Sequence, residues 1–446
     1  MASISETSDD GSNGGVPNQK PEEPHKNPQE EKENQNENPN EADEEDDHQD
    51  EEVENVPPIP RKIPPVLIEN TIAPLRRCHY PKLSLLSNAF RQVISSEDLF
   101  QVRSLIGSTE PVLYTLITFK YPTFEEGRWF ILQRRNNTSL KLNCVTSLPP
   151  MFLGCTAVTI GHKIYVMGGY NFRYNKTIST VLEIDCRFNT CRHLRNMKRD
   201  RCSAVAGVID GRIYVVAGRQ RRFDDWVEVF DVETERWELV PGPFSSFASS
   251  SGKFIVHVVL DNKIYIMDGD CCFAYDPRRR RWETWGPESA QRSYWHLSSC
   301  VVDDLLYAIV PREIFGASIV VYDPRGIAWR PVMGLEFWPN LVYFESKMAN
   351  FGEKLVILGC YRSSFDYYRK DVWCVEVALE KHEDGQIWGK VESLSLVNAF
   401  PMSPFFELSR TVTLQTHKLL TQANQLETRH TVLTPTRQVI RISTTK

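Results

Sequence analysis

The stretch WVEVFDVETERW, residues 226–237, decides the fold of this 446-residue chain. Its valines alternate with polar residues up to Asp231, and Trp237 follows six residues after that aspartate. A period of two is typical of a half-buried strand, and an aspartate side chain can accept hydrogen bonds from the backbone of a turn. The stretch therefore predicts a β-hairpin with Trp237 on its returning strand.

The same pattern recurs along the chain. Further copies join an apolar residue and an aspartate to a later tryptophan, or to a cysteine in one degenerate case: Tyr275-Asp276 with Trp282, Tyr322-Asp323 with Trp329, and Ile184-Asp185 with Cys191. Upstream of each copy an apolar run ends in an apolar-tyrosine pair: Ile164-Tyr165, Ile213-Tyr214, Ile264-Tyr265 and Leu306-Tyr307. The tyrosines are 49, 51 and 42 residues apart, and a looser fifth copy runs from Lys354 to Trp388. These spacings predict repeats of one supersecondary unit.

Each unit is predicted to contain about four strands. Residues 158–169, VTIGHKIYVMGG, fit two strands joined by a short turn and stopped by glycines. His162 lies in that turn, and we expect it to face solvent. A four-stranded unit cannot bury both of its faces alone, whereas copies arranged in a ring bury them against each other. The prediction is a mainly β protein, a β-propeller with five recognisable blades.

A sixth blade is predicted from both ends of the repeat region. Strands are expected at 111–119, 129–133 and 140–145, and these three lack a partner. The segment 405–414 can supply the missing strand. That pairing would join the two ends of the ring and remove its last open edge.

These residues resemble the kelch repeat, whose blades form a β-propeller. The resemblance covers roughly residues 150–392. It rests on the pair Gly168-Gly169, on the Tyr-Asp and Phe-Asp dipeptides, and on the tryptophan six residues later. The period of about 50 residues agrees with that family.

Charge divides the chain into unlike parts. Residues 1–55 carry a net charge of −16 and no aromatic residue, and the remainder carries +10. We expect the acidic leader (1–55) to be disordered, since it cannot bury enough apolar surface to offset its ordering entropy. It could be an inert tail, a partner-binding tail, or a competitor that lies across basic loops. The remaining boundaries are a helical module (56–107), the propeller (108–415) and a Thr-rich tail (416–446) that we expect to be poorly ordered.

Composition also bears on location and cofactors. No run reaches 18 apolar residues, and the N-terminus lacks a basic-then-apolar signal pattern. The eleven cysteines are scattered, without a C-x-x-C pair. They indicate reduced thiols in a cytosolic or nuclear protein, with no disulfide framework, metal site or cofactor.

The helical module shows a different periodicity. Apolar residues recur at helical spacing in three groups, which predicts three short helices: Leu67, Ile68, Ile72 and Leu75; Leu83, Leu86, Phe90, Val93 and Ile94; Leu99, Val102 and Ile106. Ser95 with Asp98 fits a capping signal for the third helix. A small apolar module beside a complete ring suggests a docking surface for a partner.

This module resembles an F-box. The matching parts are Ile63-Pro64, the apolar run from Leu67 to Leu75, the segment from Leu83 through Phe90-Arg91, and Ser95-Ser96. An F-box followed by kelch repeats resembles the plant F-box/kelch-repeat family. The resemblance implies a non-catalytic substrate receptor of an SCF-type (Skp–cullin–F-box) ubiquitin ligase. It assigns docking of the Skp-family adaptor, and through it of cullin, to Pro64, Leu67, Ile68, Ile72, Leu75, Leu83, Leu86, Phe90 and Ile94.

The target protein would bind the propeller loops. Loops that follow the glycine-ended strands and loops between blades leave the same face of such a ring. Arginine with tyrosine or tryptophan is common at the centres of protein interfaces. We expect an acidic or phosphorylated target segment to contact Arg199, Arg201, Arg219, Arg221, Arg222, Arg292, Tyr294, Trp295 and Arg362.

Three alternatives compete with this interpretation. Some kelch propellers are copper oxidases, but the propeller histidines lack ligand-like spacing, and no Ser-His-Asp constellation, P-loop or dinucleotide fingerprint is present. Nucleic-acid binding would suit a basic body, but acidic residues such as Asp224 and Asp225 interrupt the basic loops. A kelch interaction scaffold that recruits no ligase is the third alternative.

Overall fold

The hairpin predicted at 226–237 forms. Phe230 lies opposite Trp237 in antiparallel register, with ring centroids 4.8 Å apart. The Thr234 amide donates to Asp231 Oδ1 at 3.0 Å, which closes the turn as predicted. This computed structural model describes residues 63–119, 126–134, 140–218, 226–240, 254–268, 272–285, 298–310, 318–323, 328–342, 345–361 and 370–414. The acidic leader and the Thr-rich tail lie outside these ranges.

Six four-stranded antiparallel sheets follow one another along the chain. Blade 1 contains β1 (Pro111–Phe119), β2 (Arg128–Arg134) and β3 (Leu140–Cys144). Blade 2 contains β4 (Thr156–Ile160), β5 (Lys163–Met167), β8 (Val181–Asp185) and β9 (Thr190–His193), with a small hairpin of β6 (Tyr170–Asn171) and β7 (Lys176–Thr177). Blade 3 contains β10 (Val205–Ile209), β11 (Arg212–Val216), β12 (Val227–Asp231) and β13 (Arg236–Val240).

The remaining blades repeat this order. Blade 4 contains β14 (Phe254–Leu260), β15 (Lys263–Asp268), β16 (Cys272–Asp276) and β17 (Arg281–Thr284). Blade 5 contains β18 (Ser299–Val302), β19 (Leu305–Ile309), β20 (Ile319–Asp323) and β21 (Ala328–Pro331). Blade 6 contains β22 (Lys347–Phe351), β23 (Lys354–Cys360), β24 (Lys370–Lys381) and β25 (Ile387–Phe400). The last strand in the described residues is β26 (Pro404–Thr413).

Strand β26 closes the ring by completing blade 1. It pairs antiparallel with β1 along its whole length, from Pro111 opposite Thr413 to Phe119 opposite Pro404. The Thr115 hydroxyl donates to the Leu408 carbonyl at 3.0 Å. The predicted closure is therefore confirmed, and the fold is a six-bladed β-propeller.

Apolar side chains fill each boundary between adjacent blades. Six buried clusters account for the six boundaries, each drawing residues from both neighbouring sheets. The repeat aromatics lie within them. Phe230 is fully buried and Trp237 nearly so. Since each sheet covers its neighbours' faces, the apolar alternation seen in the sequence is satisfied all around the ring.

Antiparallel order sorts the connections onto two faces. In each blade, the link between the first and second strands and the link between the third and fourth lie at one end, which we call the turn face. The link between the second and third strands and the link to the next blade lie at the other end, the loop face. For blade 1 the first strand is β26.

The helical module has four short α-helices and a 3-10 turn where three helices were predicted. They are α1 (Pro65–Ile72), the 3-10 turn Arg77–His79, α2 (Tyr80–Leu83), α3 (Asn88–Ile94) and α4 (Glu97–Leu105). The predicted second helix is broken because the Ser87 side chain caps a new helix at the Phe90 amide. The cap predicted at Ser95 is in fact Ser96, whose hydroxyl accepts from the Leu99 amide.

Candidate protein-interaction surfaces

A small core holds the helical module together. Ile68, Ile72, Tyr80, Val93 and Leu99 are buried in one cluster. The buried guanidinium of Arg103 ties α4 to the segment after α1. Its Nη1 donates to the Ala73 carbonyl at 2.7 Å and to the Tyr80 hydroxyl at 2.8 Å. The Arg103 guanidinium thus supplies hydrogen-bond donors at the end of α1, where the carbonyls have no partner inside the helix.

Outside this core the module exposes many large apolar side chains. Leu85, Leu105 and Leu86 are 76, 73 and 65% exposed. The full set over the described residues 63–107 is Ile63, Val66, Leu67, Leu75, Leu85, Leu86, Leu105 and Ile106. Such a concentration of apolar surface on so small a module marks a site of protein interaction.

The structure divides the residues assigned to adaptor docking into three groups. Pro64, Leu67, Leu75 and Leu86 are exposed, as docking requires. Leu83, Phe90 and Ile94 are half-buried and pack against the module core. Ile68 and Ile72 are only 2 and 1% exposed, so their assignment to the docking surface is wrong. They are on the inward face of α1.

Five exposed residues were missed by the sequence assignment: Ile63, Val66, Leu85, Leu105 and Ile106. Leu85 follows α2 in a turn, where helical periodicity carries no information about exposure. Leu105 ends α4 with Ile106 as its C-cap. Two adjacent apolar residues at a helix end could have indicated this exposure, because the end of a short helix projects from the core on which the helix packs.

The module is attached to the turn face of the propeller. The turn between β8 and β9 supplies Arg187, whose Nη2 lies 2.9 Å from Glu97 Oε1 in α4 and 2.7 Å from Asp185 Oδ2. The next residue, Phe188, packs edge-to-face on Phe100 with centroids 5.4 Å apart. Burial raises the pKa of Asp185, but hydrogen bonds and charge from Arg187 more than offset it, so this pKa lies below its usual value.

Phe100 also belongs to the buried cluster between blades 1 and 2. Polar and apolar contacts therefore fasten α4 to the ring.

The loop face carries an aromatic hairpin in blade 2. Strands β6 and β7 project here after Gly168 and Gly169, both with positive φ. A Cβ on Gly168 would lie 2.4 Å from the Arg201 carbonyl oxygen, so only glycine fits this close approach. The hairpin exposes Phe172 and Tyr174, and the guanidinium of Arg173 lies 5.9 Å from the Tyr174 ring centroid. This is the aromatic-plus-arginine chemistry expected of a target site.

Of the predicted target-binding residues, only Arg199 and Arg201 lie in the described part of the chain. Arg199 is exposed on the inter-blade connection at the loop face. Arg201 is fully buried, and its assignment to the surface is wrong. The other seven lie outside the described residues: Arg219, Arg221, Arg222, Arg292, Tyr294, Trp295 and Arg362.

Arg201 forms a buried ion pair instead. Its Nη2 and Nε lie 2.9 and 3.1 Å from Glu228 Oε1, and the other carboxylate oxygen accepts from the Lys198 amide at 2.6 Å. Its Nη1 donates to the backbone carbonyls of Ala217 and Trp226. The side chain thus anchors the inter-blade loop that leads into blade 3.

The described ranges lack two further classes of site. No cluster of three or more His, Cys, Asp or Glu side chains there could hold a metal ion. None of the helices there is long and apolar enough to cross a membrane. His162, expected to face solvent, is buried with its Nε2 3.9 Å from Asp185 Oδ2.

Comparisons with known proteins agree with this architecture. Residues 129–398 match the family model described as the FKB95 kelch-repeats domain. A protein of Arabidopsis thaliana, provisionally named an F-box/kelch-repeat protein, is 99% identical over 414 residues, covering 93% of this chain and all of the relative. A second F-box/kelch-repeat protein of the same plant is 67% identical over 417 residues, with the same coverage.

A kelch repeat-containing protein of A. thaliana is 43% identical over 405 residues, covering 89% of this chain and 96% of the relative. Among solved structures, that of YjhT covers 63% of this chain and 94% of its own at 14% identity and a TM-score of 0.43, which is too distant to support any inference. On the strength of the family model and the sequence relatives, the chain belongs to the F-box/kelch-repeat family.

Proposed function

We propose that this protein is the substrate-recognition subunit of an SCF-type ubiquitin ligase. The helical module docks a Skp-family adaptor, and through it cullin, while the propeller holds the target protein. The receptor performs no chemistry of its own. It raises the effective concentration of the target's lysines near the subunits that transfer ubiquitin. We place it in the cytosol or nucleus.

One observation carries the adaptor half of this proposal: the eight large apolar side chains that the module exposes. Burying such side chains at an interface stabilises the complex by about 25 cal/mol for each Å² of apolar area removed from water. The attachment of α4 to the turn face through Arg187 and Phe188 supports the same role, because a docked adaptor would then be joined directly to the propeller that holds the target.

The placement of the two surfaces supports the division of labour. The module packs on the turn face, whereas the Tyr170–Thr177 hairpin and Arg199 lie on the loop face. Adaptor and target therefore do not compete for the same surface. An acidic or phosphorylated target segment would suit the exposed Arg173 and Arg199 of the loop face.

The adaptor test compares two leucine pairs with equal changes. The double variant Leu67→Asp/Leu86→Asp should lose co-purification with a recombinant Skp-family adaptor, with affinity reduced by about 100-fold or more, because it places charge in an apolar interface. The control, Leu394→Asp/Leu396→Asp, alters two similarly exposed leucines on the outer strand of blade 6 and should bind normally. Equal adaptor binding by both variants would favour the scaffold alternative.

The target half needs a separate measurement. Binding of the full chain to an array of acidic and phosphorylated peptides should weaken on Arg173→Glu/Arg199→Glu, while the adaptor remains bound. The matched control is Arg279→Glu, which changes an exposed arginine on a turn between β16 and β17 of the opposite face. An array signal that ignores the charge at Arg173 and Arg199 would argue against an acidic target.

A further inference from the structure

The six innermost strands enclose a cavity along the propeller axis. Strands β4, β10, β14, β18, β22 and β26 all contribute to its wall, and its volume is about 940 Å³. It extends from Gly154 and Ser203 at the loop face to Gly352 at the turn face. Much of the wall is apolar, from valines and alanines of the inner strands.

Three basic residues from three blades line this cavity. They are His257 on β14, Lys347 on β22 and Arg410 on β26. Strands β22 and β26 are neighbours, and β14 lies across the axis from β26. The inner strands therefore bring together charges that are far apart in sequence.

Among the described residues, Lys347 and Arg410 have no carboxylate partner. No salt bridge within the described ranges ends on Lys347 or Arg410, and Lys347 Nζ makes no hydrogen bond there. Arg410 donates from Nε to the Ala157 carbonyl at 2.8 Å and from Nη1 to its neighbour Ser409 at 2.9 Å. These bonds position the guanidinium without neutralising it.

Arg201 provides a comparison, because it is a buried cation with a structural role. Its guanidinium is paired with Glu228 at 2.9 Å and saturated by backbone carbonyls. Burying a charge without a counter-ion is costly, and chains avoid it unless something else supplies the opposite charge. Lys347 and Arg410 are half-buried on the cavity wall and, unlike Arg201, are not paired with a carboxylate of the described residues.

The local electrostatics favour the binding of an anion in this cavity. Desolvation and the Arg410 charge lower the pKa of Lys347 to about 8, although Glu407 acts in the opposite direction. Desolvation lowers the pKa of Arg410 to about 10. Desolvation, Arg410 and Lys347 together lower the pKa of His257 to about 3, so its imidazole is neutral at pH 7.

Two acids also line the cavity, Glu345 and Glu407. Neither reaches salt-bridge distance of Lys347 or Arg410. Glu407 Oε1 accepts from the Thr118 hydroxyl of β1 at 3.4 Å.

We propose that the axial cavity binds a small phosphate-bearing molecule, with its phosphate oxygens accepting hydrogen bonds from Lys347 and Arg410. A phosphate dianion would balance both cations, and arginine and lysine are the side chains that proteins use for this group. The volume lies in the range of pockets for small organic ligands. The bound phosphate would bridge blade 6 and the closing strand of blade 1. It would thus stabilise the ring at its junction.

The test uses the full chain and isothermal titration calorimetry at constant ionic strength. The probes are orthophosphate, glucose 6-phosphate as an organic phosphate, and citrate as a carboxylate. We expect one phosphate site per chain. Tighter binding of glucose 6-phosphate would identify an organic phosphate as the ligand, and equal binding would identify phosphate itself. Preference for citrate, or no binding of either phosphate at millimolar concentration, would overturn the proposal.

Variants separate binding from folding. Lys347→Met should reduce phosphate affinity at least tenfold, and it should raise the melting temperature without phosphate because it removes an uncompensated charge. Arg410→Met should also lose phosphate binding. If loss of the hydrogen bond to the Ala157 carbonyl impairs folding of that variant, Arg410→Lys replaces it in the binding measurement. The control Arg279→Met, on an exposed turn, should bind phosphate like the parent. Parental affinity in Lys347→Met would overturn the assignment, as would a lower melting temperature.

Discussion

The helical module and the propeller treat their apolar side chains in opposite ways. Over residues 63–107 the module exposes eight large apolar residues, whereas the described propeller residues expose nine over a span several times longer. The propeller achieves this because each blade covers its neighbours and β26 covers the last edge. The eight exposed apolar residues of the module have no such cover within the described residues. The difference teaches that the propeller covers its own apolar surface, whereas the module leaves apolar surface available to the proposed adaptor.

The largest effect is expected from opening the ring. A chain ending after Ser403 lacks β26, which leaves β1 and the inner side of blade 1 without cover. We expect no cooperative unfolding transition for the propeller by circular dichroism or calorimetry. A chain ending after Leu414 keeps β26 and is the control, for which we expect a normal transition. A folded ring in the shorter chain would show that the propeller is less dependent on closure than this comparison states.

The buried ion pair of blade 3 comes next. Glu228→Ala leaves the Arg201 charge buried and unpaired, which should cost about 3–5 kcal/mol in the free energy of unfolding. The matched change Glu235→Ala breaks an exposed pair with Arg192 and should cost no more than about 1 kcal/mol. Chemical denaturation of both variants measures the difference. Equal losses would contradict the structural role assigned to Arg201.

Within the module, two residues of α1 should separate the stability of the fold from adaptor binding. Ile72→Ala removes a buried side chain of the module core and should cost about 2–5 kcal/mol. Leu67→Ala changes an exposed residue and should alter stability by less than about 0.5 kcal/mol while weakening adaptor binding. Thermal melting and adaptor titration on the same samples provide the readout. A large stability loss in Leu67→Ala would mean that its surface is already covered.

A pH dependence is expected in the propeller cavity. Because the folded pKa of Lys347 is about 8 against an ordinary 10.5, its charge destabilises the fold fully below pH 8 and progressively less up to pH 10.5. The stability advantage of Lys347→Met over the parent should therefore shrink across that window. Taking the difference cancels the cysteine and tyrosine titrations common to both. Arg410, His257, Glu345 and Glu407 share the cavity and remain unchanged. An advantage that is constant with pH would exclude this explanation.

Much of the propeller could be predicted from local pattern. Period-two alternation located the hairpin strands, and Trp237 lies on the returning strand as predicted. The closing strand was predicted at 405–414 and lies at Pro404–Thr413. These features succeed because a blade is defined by contacts that are short in sequence and repeated.

The errors have a different physical origin. Periodicity identified apolar positions on α1 but could not separate Ile68 and Ile72, which face the core, from Leu67, which does not. Arg201 was assigned to the surface because its partner Glu228 lies on another strand, 27 residues later. The cavity cations were not predicted for the same reason. His257, Lys347 and Arg410 come together only once six inner strands surround one axis.

The pairing of β1 with β26 has a consequence for how the protein is made. Thr115 and Ser409 meet across 294 residues, so the first propeller strand leaves the ribosome long before its partner exists. At typical synthesis rates of about 5–20 residues per second, the delay is roughly 15–60 s. Throughout that time the edge of β1 has no partner strand, because β26 has not yet been translated. We therefore expect nascent chains to depend on chaperones until β26 has been synthesised.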